Sequence, residues 1–216
     1  MPPVTGGALL PFILLMFLLS RWSGGLVARY GSRLPLIIGP LVAATGFALL
    51  AVPSVSGNYW KSYFPGVVVL GLGMAITVAP LTTVVMDAVA QDHAGTASGI
   101  NNAVARVASV LAIAVFGNVM VNAFGAHLNR ALARLSLSTQ DLLEIRADEI
   151  NLAALRPPAG LDPHIRASVT QLIDSAFVYG FRIVMWLCAT LSLASFLVAW
   201  LMIPKNPSSD PDAGND

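Results

Sequence analysis

Between Lys61 and Asp87 the sequence carries no charged side chain, and the run is rich in Val, Leu and Gly. A run of that kind can hide its backbone amides in hydrocarbon only by bonding them to one another. It is therefore committed to an α-helix across a bilayer, which takes about 20 mostly apolar residues. Besides residues 62–86, four more stretches meet this condition, at about 7–22, 34–52, 98–120 and 176–203. The expected fold is an all-α integral membrane protein with five transmembrane helices. Of the 216 residues 56% are hydrophobic and only 11% charged, whereas soluble domains carry roughly 25% charged residues.

Several classes of function drop out on composition and spacing. The net charge is +1 and no dense Lys/Arg block occurs, so the electrostatic footprint of a nucleic-acid binder is missing. Cys188 is the single cysteine, which rules out a disulfide framework or a cysteine metal site. His93, His127 and His164 are far apart in expected loops with no acid or second His at ligand spacing, so no metal is expected. Without a nucleophile elbow or a phosphate-binding loop, neither an enzyme nor a cofactor is expected. Trp22, Trp60, Trp186 and Trp200, with Tyr59 and Tyr63, fit interface anchors better than a cage that stacks a ligand.

Residues 1–120 hold four of the spans, and residues 121–175 hold most of the charges, so this second stretch is expected to leave the membrane. Within it Leu128, Leu132 and Leu135 fall at helical spacing, and Ser138 with Asp141 resembles a capping box opening a helix toward Leu155. Arg156-Pro157-Pro158 would end that helix. Asp162-Pro163 would open another, with Ile165, Val169, Leu172 and Ile173 as an apolar stripe leading into the last span. An interfacial cap explains these helices more simply than a ligand-binding domain. The tail at 204–216 is polar and is expected to be disordered. No basic residue precedes the first apolar run, so no cleaved signal is expected; the abrupt start suggests a fragment.

Small residues at four-residue steps mark places where helices can approach closely: Gly39 with Ala43; Gly71, Ala75 and Ala79; Gly95, Gly99 and Ala103. The most expensive residue is Arg106, about two turns inside its span, where an unpaired charge costs several kcal/mol. Asn102 and Ser109 share its helix face, Asn101 lies beside it, and Asp87 with Thr83 one turn earlier is the nearest candidate counter-ion. Arg106, Asn102, Asn101, Asp87 and Thr83 are thus expected to form a structural or gating network rather than a direct substrate contact.

Gly24, Leu26, Arg29, Gly31 and Arg33 join the first two spans. By themselves the arginines suit a positive-inside anchor, but the spacing resembles the loop signature of the major facilitator superfamily, with Ala28 where that signature has an acid. Leu70-Gly71-Leu72-Gly73-Met74-Ala75, Ala79-Pro80-Leu81-Thr82, and Ala97-Ser98-Gly99-Ile100-Asn101-Asn102-Ala103 with Arg106 are similar to the fourteen-helix multidrug:proton antiporters. The long loop before the last span also resembles theirs.

That resemblance implies helices ten to fourteen of such a transporter, in the cell membrane, with Arg29, Arg33 and Lys205 cytoplasmic and Lys61 and the long loop outside. It implies proton-coupled efflux of a hydrophobic or cationic small molecule by alternating access, with Met74, Thr77, Thr82, Phe12 and Met16 lining one wall of the cavity. No Asp or Glu lies well inside any of the five spans, so the proton-coupling residue would lie elsewhere. The rivals are a permease of another small solute in the same superfamily and a non-transporting membrane scaffold.

Overall fold

The computed structural model describes residues 14, 17, 18, 33–53, 59–87, 90, 93–135, 137–158 and 160–203, save the side chains at 79, 82, 83 and 85–87. The first expected span and the polar tail lie outside these residues, apart from Leu14, Phe17 and Leu18, which are helical and exposed. The elements are all helical: α1 Arg33–Ala51, α2 Tyr59–Ser62, α3 Phe64–Asp87, α4 Ala94–Leu132, α5 Thr139–Ala147, a 3-10 segment Glu149–Ala154, and α6 Pro163–Met202. Among them α1, α4 and α6 are long and apolar enough to cross a membrane, and Phe64–Val78 of α3 forms a shorter apolar helix.

The chain divides into two compact units. The first includes Gly66–Ser98, the part of α1 up to Gly46 and the part of α6 from Ala189. Here α1 and α3 cross with their backbones in contact. A Cβ on Gly46 would lie 2.5 Å from the Leu70 nitrogen and 2.7 Å from its Cα. A Cβ on Gly39 would overlap the Thr77 hydroxyl, and one on Gly73 would overlap the backbone of Ala43. Without water to drive helices together, such proximity is what gives membrane helices their packing attraction. The helix hydroxyls are satisfied locally, Thr45 donating to the Leu41 carbonyl at 3.0 Å and Thr77 to the Gly73 carbonyl at 2.7 Å. Gly39 and Ala43 thus do mark a close approach. At Gly95 and Gly99, among the described residues, nothing lies within 4 Å of such a Cβ.

The second unit contains Phe47–Pro65 and Gly99–Cys188. Its α4 and α6 have 39 and 40 residues, so each is about 60 Å long at 1.5 Å per residue, twice the hydrocarbon thickness. Both helices therefore run on beyond the bilayer. Residues 121–132 and 163–175 thus continue in helix from the apolar stretches of α4 and α6. No proline interrupts α4, and Asp162 caps α6 by accepting from the His164 amide at 2.8 Å, with Pro163 in the first helical position.

The C-terminal part of α4 and the N-terminal part of α6 pack against each other in antiparallel fashion. Phe124, Leu128 and Leu132 from α4 meet Val169, Ile173 and Ala176 from α6, and Ile145, Leu155 and Leu161 close the cluster. Ser138 caps α5 by accepting from the Asp141 amide at 3.1 Å. The helix expected to reach Leu155 stops at Ala147, and the 3-10 segment follows with Leu152 in the left-handed region at φ 50°. Most of the fully buried large side chains among the described residues lie in this cluster. None of α4's apolar stretch is buried, whereas half of α1's is.

Candidate functional site

Among the expected polar residues of α4, Asn102 and Arg106 are exposed and Asn101 is half-buried. Asn102, Arg106 and Ser109 share one face through the 3–4-residue helical repeat, and Ser109 donates its hydroxyl to the Ala105 carbonyl at 2.8 Å. Exposed Val104, Val107, Val110 and Ile113 surround them. Among the described residues Arg106 has no ion pair. Its candidate partner Asp87 ends α3, but the side chains of Asp87 and Thr83 lie outside the described residues. The arrangement offers a cation and the Asn102 amide on one face, among apolar neighbours, able to hold an anionic or carbonyl-bearing partner.

Of the expected cavity-lining residues, Met74 is exposed on α3. Thr77 is committed to the α1–α3 crossing against Gly39, its hydroxyl held by Gly73. Phe12, Met16 and the Thr82 side chain lie outside the described residues, as do Gly24, Leu26, Arg29 and Gly31 of the loop signature. Arg33 is the first residue of α1, and its Nε is buried without a hydrogen-bond partner among the described residues.

Two polar sites were not singled out from the sequence. In α6, Arg182 donates from Nη2 to the carbonyl oxygens of Val52 at 3.1 Å and Pro53 at 2.9 Å. These carbonyls lie just past the end of α1, where the helix dipole concentrates negative charge and the last carbonyls lack helical partners. In the cap, Asn129 donates to the Glu149 Oε1 at 2.7 Å and to the Gly125 carbonyl at 2.9 Å, while its Oδ1 accepts from the Arg146 Nε at 2.9 Å. One amide thereby ties α5 and the 3-10 segment to α4. A search for unpaired intramembrane charges finds Arg106 but passes over both, since their partners are backbone carbonyls or residues far along the chain.

Among the described residues no group of three or more His, Cys, Asp or Glu could hold a metal ion. Aromatic groups gather at one helix start, with Tyr59 edge-on to Trp60 at 5.8 Å and Trp60 against Phe64 at 5.1 Å, beside Lys61, in the manner of an interfacial anchor.

Apolar helices of spanning length, helix crossings built on small residues and polar groups set on helix faces define a multi-pass helical membrane protein. More narrowly, the chain belongs to the Major Facilitator Superfamily, whose sequence model matches residues 2–113. It is similar to the multidrug resistance protein Stp of Mycobacterium tuberculosis, at 32% identity over 223 aligned positions that take in 100% of this chain and 40% of that protein. It is also similar to the tetracenomycin C resistance and export protein of Streptomyces glaucescens, at 29% identity over 98% of this chain and 39% of the relative. A triacylglyceride transporter of Mycolicibacterium smegmatis matches at 31% identity over 57% of this chain and 24% of its own length. The chain thus spans about two fifths of the length of the first two relatives.

Proposed function

We propose that this chain supplies five transmembrane helices of a proton-coupled multidrug efflux antiporter of the cell membrane, exporting hydrophobic or cationic small molecules by alternating access. The observation that carries this is similarity along essentially the whole chain to two proteins named for drug resistance and export. In this reading the five spans lie at about 7–22, 34–52, 62–86, 98–120 and 176–203, with the loop signature at the cytoplasmic face and the helical cap outside. Met74, Thr82, Phe12 and Met16 contribute to one wall of the cavity, and the carboxylate that exchanges protons belongs to residues beyond this chain.

Arg106 then acts at a gate or in an interhelical network, since a guanidinium among apolar residues of a span is tolerated only beside protein or water. That none of the α4 apolar stretch is buried supports this, because it leaves the helix open to further helices. The test is Arg106→Ala in the complete transporter, with expression level and membrane insertion matched. Efflux of a fluorescent cation is expected to fall at least tenfold; unchanged efflux would rule out both roles.

A further inference from the structure

Where the C-terminal end of α4 meets the N-terminal part of α6, the packing leaves a groove of about 710 Å³ that the transport reading does not use. His127 and Arg130 of α4 line it, joined by Arg134 from the turn that follows the helix. Gln171 and Tyr179 of α6 form the other side, and Leu135 and Leu172 supply an apolar surface. Along the continuous α4, His127 lies 21 residues past Arg106, about 31 Å away. The groove is therefore separate from the polar face around Arg106.

Its charge is one-sided. Arg130 and Arg134 are both exposed, and among the described residues neither has an ion-pair partner, so two like charges share one groove uncompensated. Asp174, next to Ser175 on α6, is exposed but is not part of the lining, which includes no carboxylate among the described residues. The hydroxyls of Ser168 and Ser175, also in the wall, donate to the His164 and Leu172 carbonyls at 3.0 and 2.9 Å. An anion in the groove would therefore take its hydrogen bonds from the two guanidinium groups, the Gln171 amide and the Tyr179 hydroxyl. Beside these donors the His127 ring stacks on Tyr179, with centroids 4.5 Å apart at 27°. With Leu135 and Leu172 this pair makes a surface suited to a flat apolar body.

We propose that this groove binds a small organic anion, its oxyanion head held by Arg130 and Arg134 and its apolar body lying against Tyr179, Leu135 and Leu172. The arginine fork of N–H donors matches the two oxygens of such a head. Size selects the occupant. The volume falls in the range of roughly 300–1,000 Å³ typical of sites for small organic ligands and far exceeds what an inorganic anion fills. The lining has ten residues, against the roughly 20–30 that a stable protein partner engages. A bound anion would bridge the end of α4 to α6 and stabilise the cap. The positive lining disfavours the hydrophobic cations of the efflux reading, so this site is distinct from the transport cavity.

The test uses the purified full chain in neutral detergent with 2-naphthoate as the probe and 2-naphthamide as its uncharged match in shape. Binding is measured by equilibrium dialysis, with protein-free micelles as the blank. One 2-naphthoate per chain is expected to bind at least tenfold more tightly than 2-naphthamide. R130A/R134A should weaken naphthoate at least tenfold, since a hydrogen bond to a charged group is worth about a factor of ten, and leave naphthamide within about twofold. R156A, at an exposed arginine outside the groove, should change neither probe by more than about twofold. Equal affinity for the two probes, or R130A/R134A binding naphthoate like the parent with unchanged helicity, would overturn the proposal. Displacement of naphthoate by equimolar sulfate, or by phosphatidylglycerol added to the micelles, would also overturn it, the first by showing that the apolar wall contributes nothing and the second by assigning the groove to lipid.

Discussion

Gly46→Ala tests whether α1 and α3 are held by backbone proximity. A methyl at this position would lie 2.5 Å from the Leu70 nitrogen, 2.7 Å from its Cα and 2.8 Å from its Cβ. Carbon atoms in ordinary contact sit about 3.5–4.0 Å apart, so the helices must separate by roughly 1 Å at the crossing. The obstructing atoms are mostly backbone, and no rotamer change relieves them. A gap of that size forfeits a quarter to a half of each atom-pair attraction, and overpacking of this kind costs about 1–3 kcal/mol. Alanine's advantage over glycine in helix formation, about 1 kcal/mol in water, works in the opposite direction. Unfolding in mixed micelles of a mild detergent and dodecylsulfate, followed by circular dichroism, leaves much of the helix formed in both end states, so most of that advantage cancels. Gly46→Ala is expected to lower stability by about 1–2 kcal/mol. Gly99→Ala, at a position with nothing within 4 Å, is the control and should lie within about 0.5 kcal/mol of the parent. Equal midpoints for the two variants would refute backbone proximity as the source of the packing.

Three further outcomes are expected. Arg182→Ala removes both hydrogen bonds to the Val52 and Pro53 carbonyls and should cost about 2 kcal/mol in the same unfolding assay, with Arg182→Lys recovering part of the loss. Asn129→Ala leaves Glu149 without its 2.7 Å donor and Arg146 without its acceptor; amide hydrogen exchange across residues 139–154 should accelerate about tenfold while exchange in the α4 core is unchanged. Cells expressing residues 1–216 alone should accumulate a fluorescent cation as empty-vector cells do, because the chain matches only about two fifths of its relatives; a clear fall in accumulation would contradict this.

The helical class was legible because lipid leaves so few options: a charge-free run has to satisfy its own amides, and helices do so. Less legible was where a helix ends. Polarity rises near Asn118 and again near Arg130, which signals the end of a span, yet α4 continues to Leu132 because nothing in that stretch breaks it. A helix crossing from lipid to water changes the face it buries, not its hydrogen bonding. The spacing of Leu128 with Leu132, and of Ile165, Val169, Leu172 and Ile173, did announce the apolar stripe that packs the cap. The stripe at 165–173 also led into the last span, as α6 does, whereas nothing in the spacing of Leu128 and Leu132 announced that they belong to the same helix as residues 98–120. Nor did small-residue spacing decide which glycines meet a neighbour, since Gly39 and Gly99 look alike in sequence and differ only in what lies opposite.

Arg106 and Arg182 show the same limit at the level of the site. Each is a lone arginine near one end of an apolar run, and a charge-based search treats them alike by asking for an acid to pair with. For Arg182 the partner is the carbonyl end of α1, reached across 130 residues of sequence. A helix terminus provides that acceptor whatever its side chains are, because its last carbonyls are unsatisfied and its dipole points there. The requirement that an arginine in a span find a partner was readable in one dimension; the partner itself depends on which helix end the fold brings alongside. If Arg106 obeys the same rule, its partner need not be a carboxylate such as Asp87. Asp87→Asn would then leave efflux by the complete transporter within about twofold of the parent while Arg106→Ala abolishes it, whereas an Arg106–Asp87 ion pair requires comparable loss in both, since removing either partner strands the other.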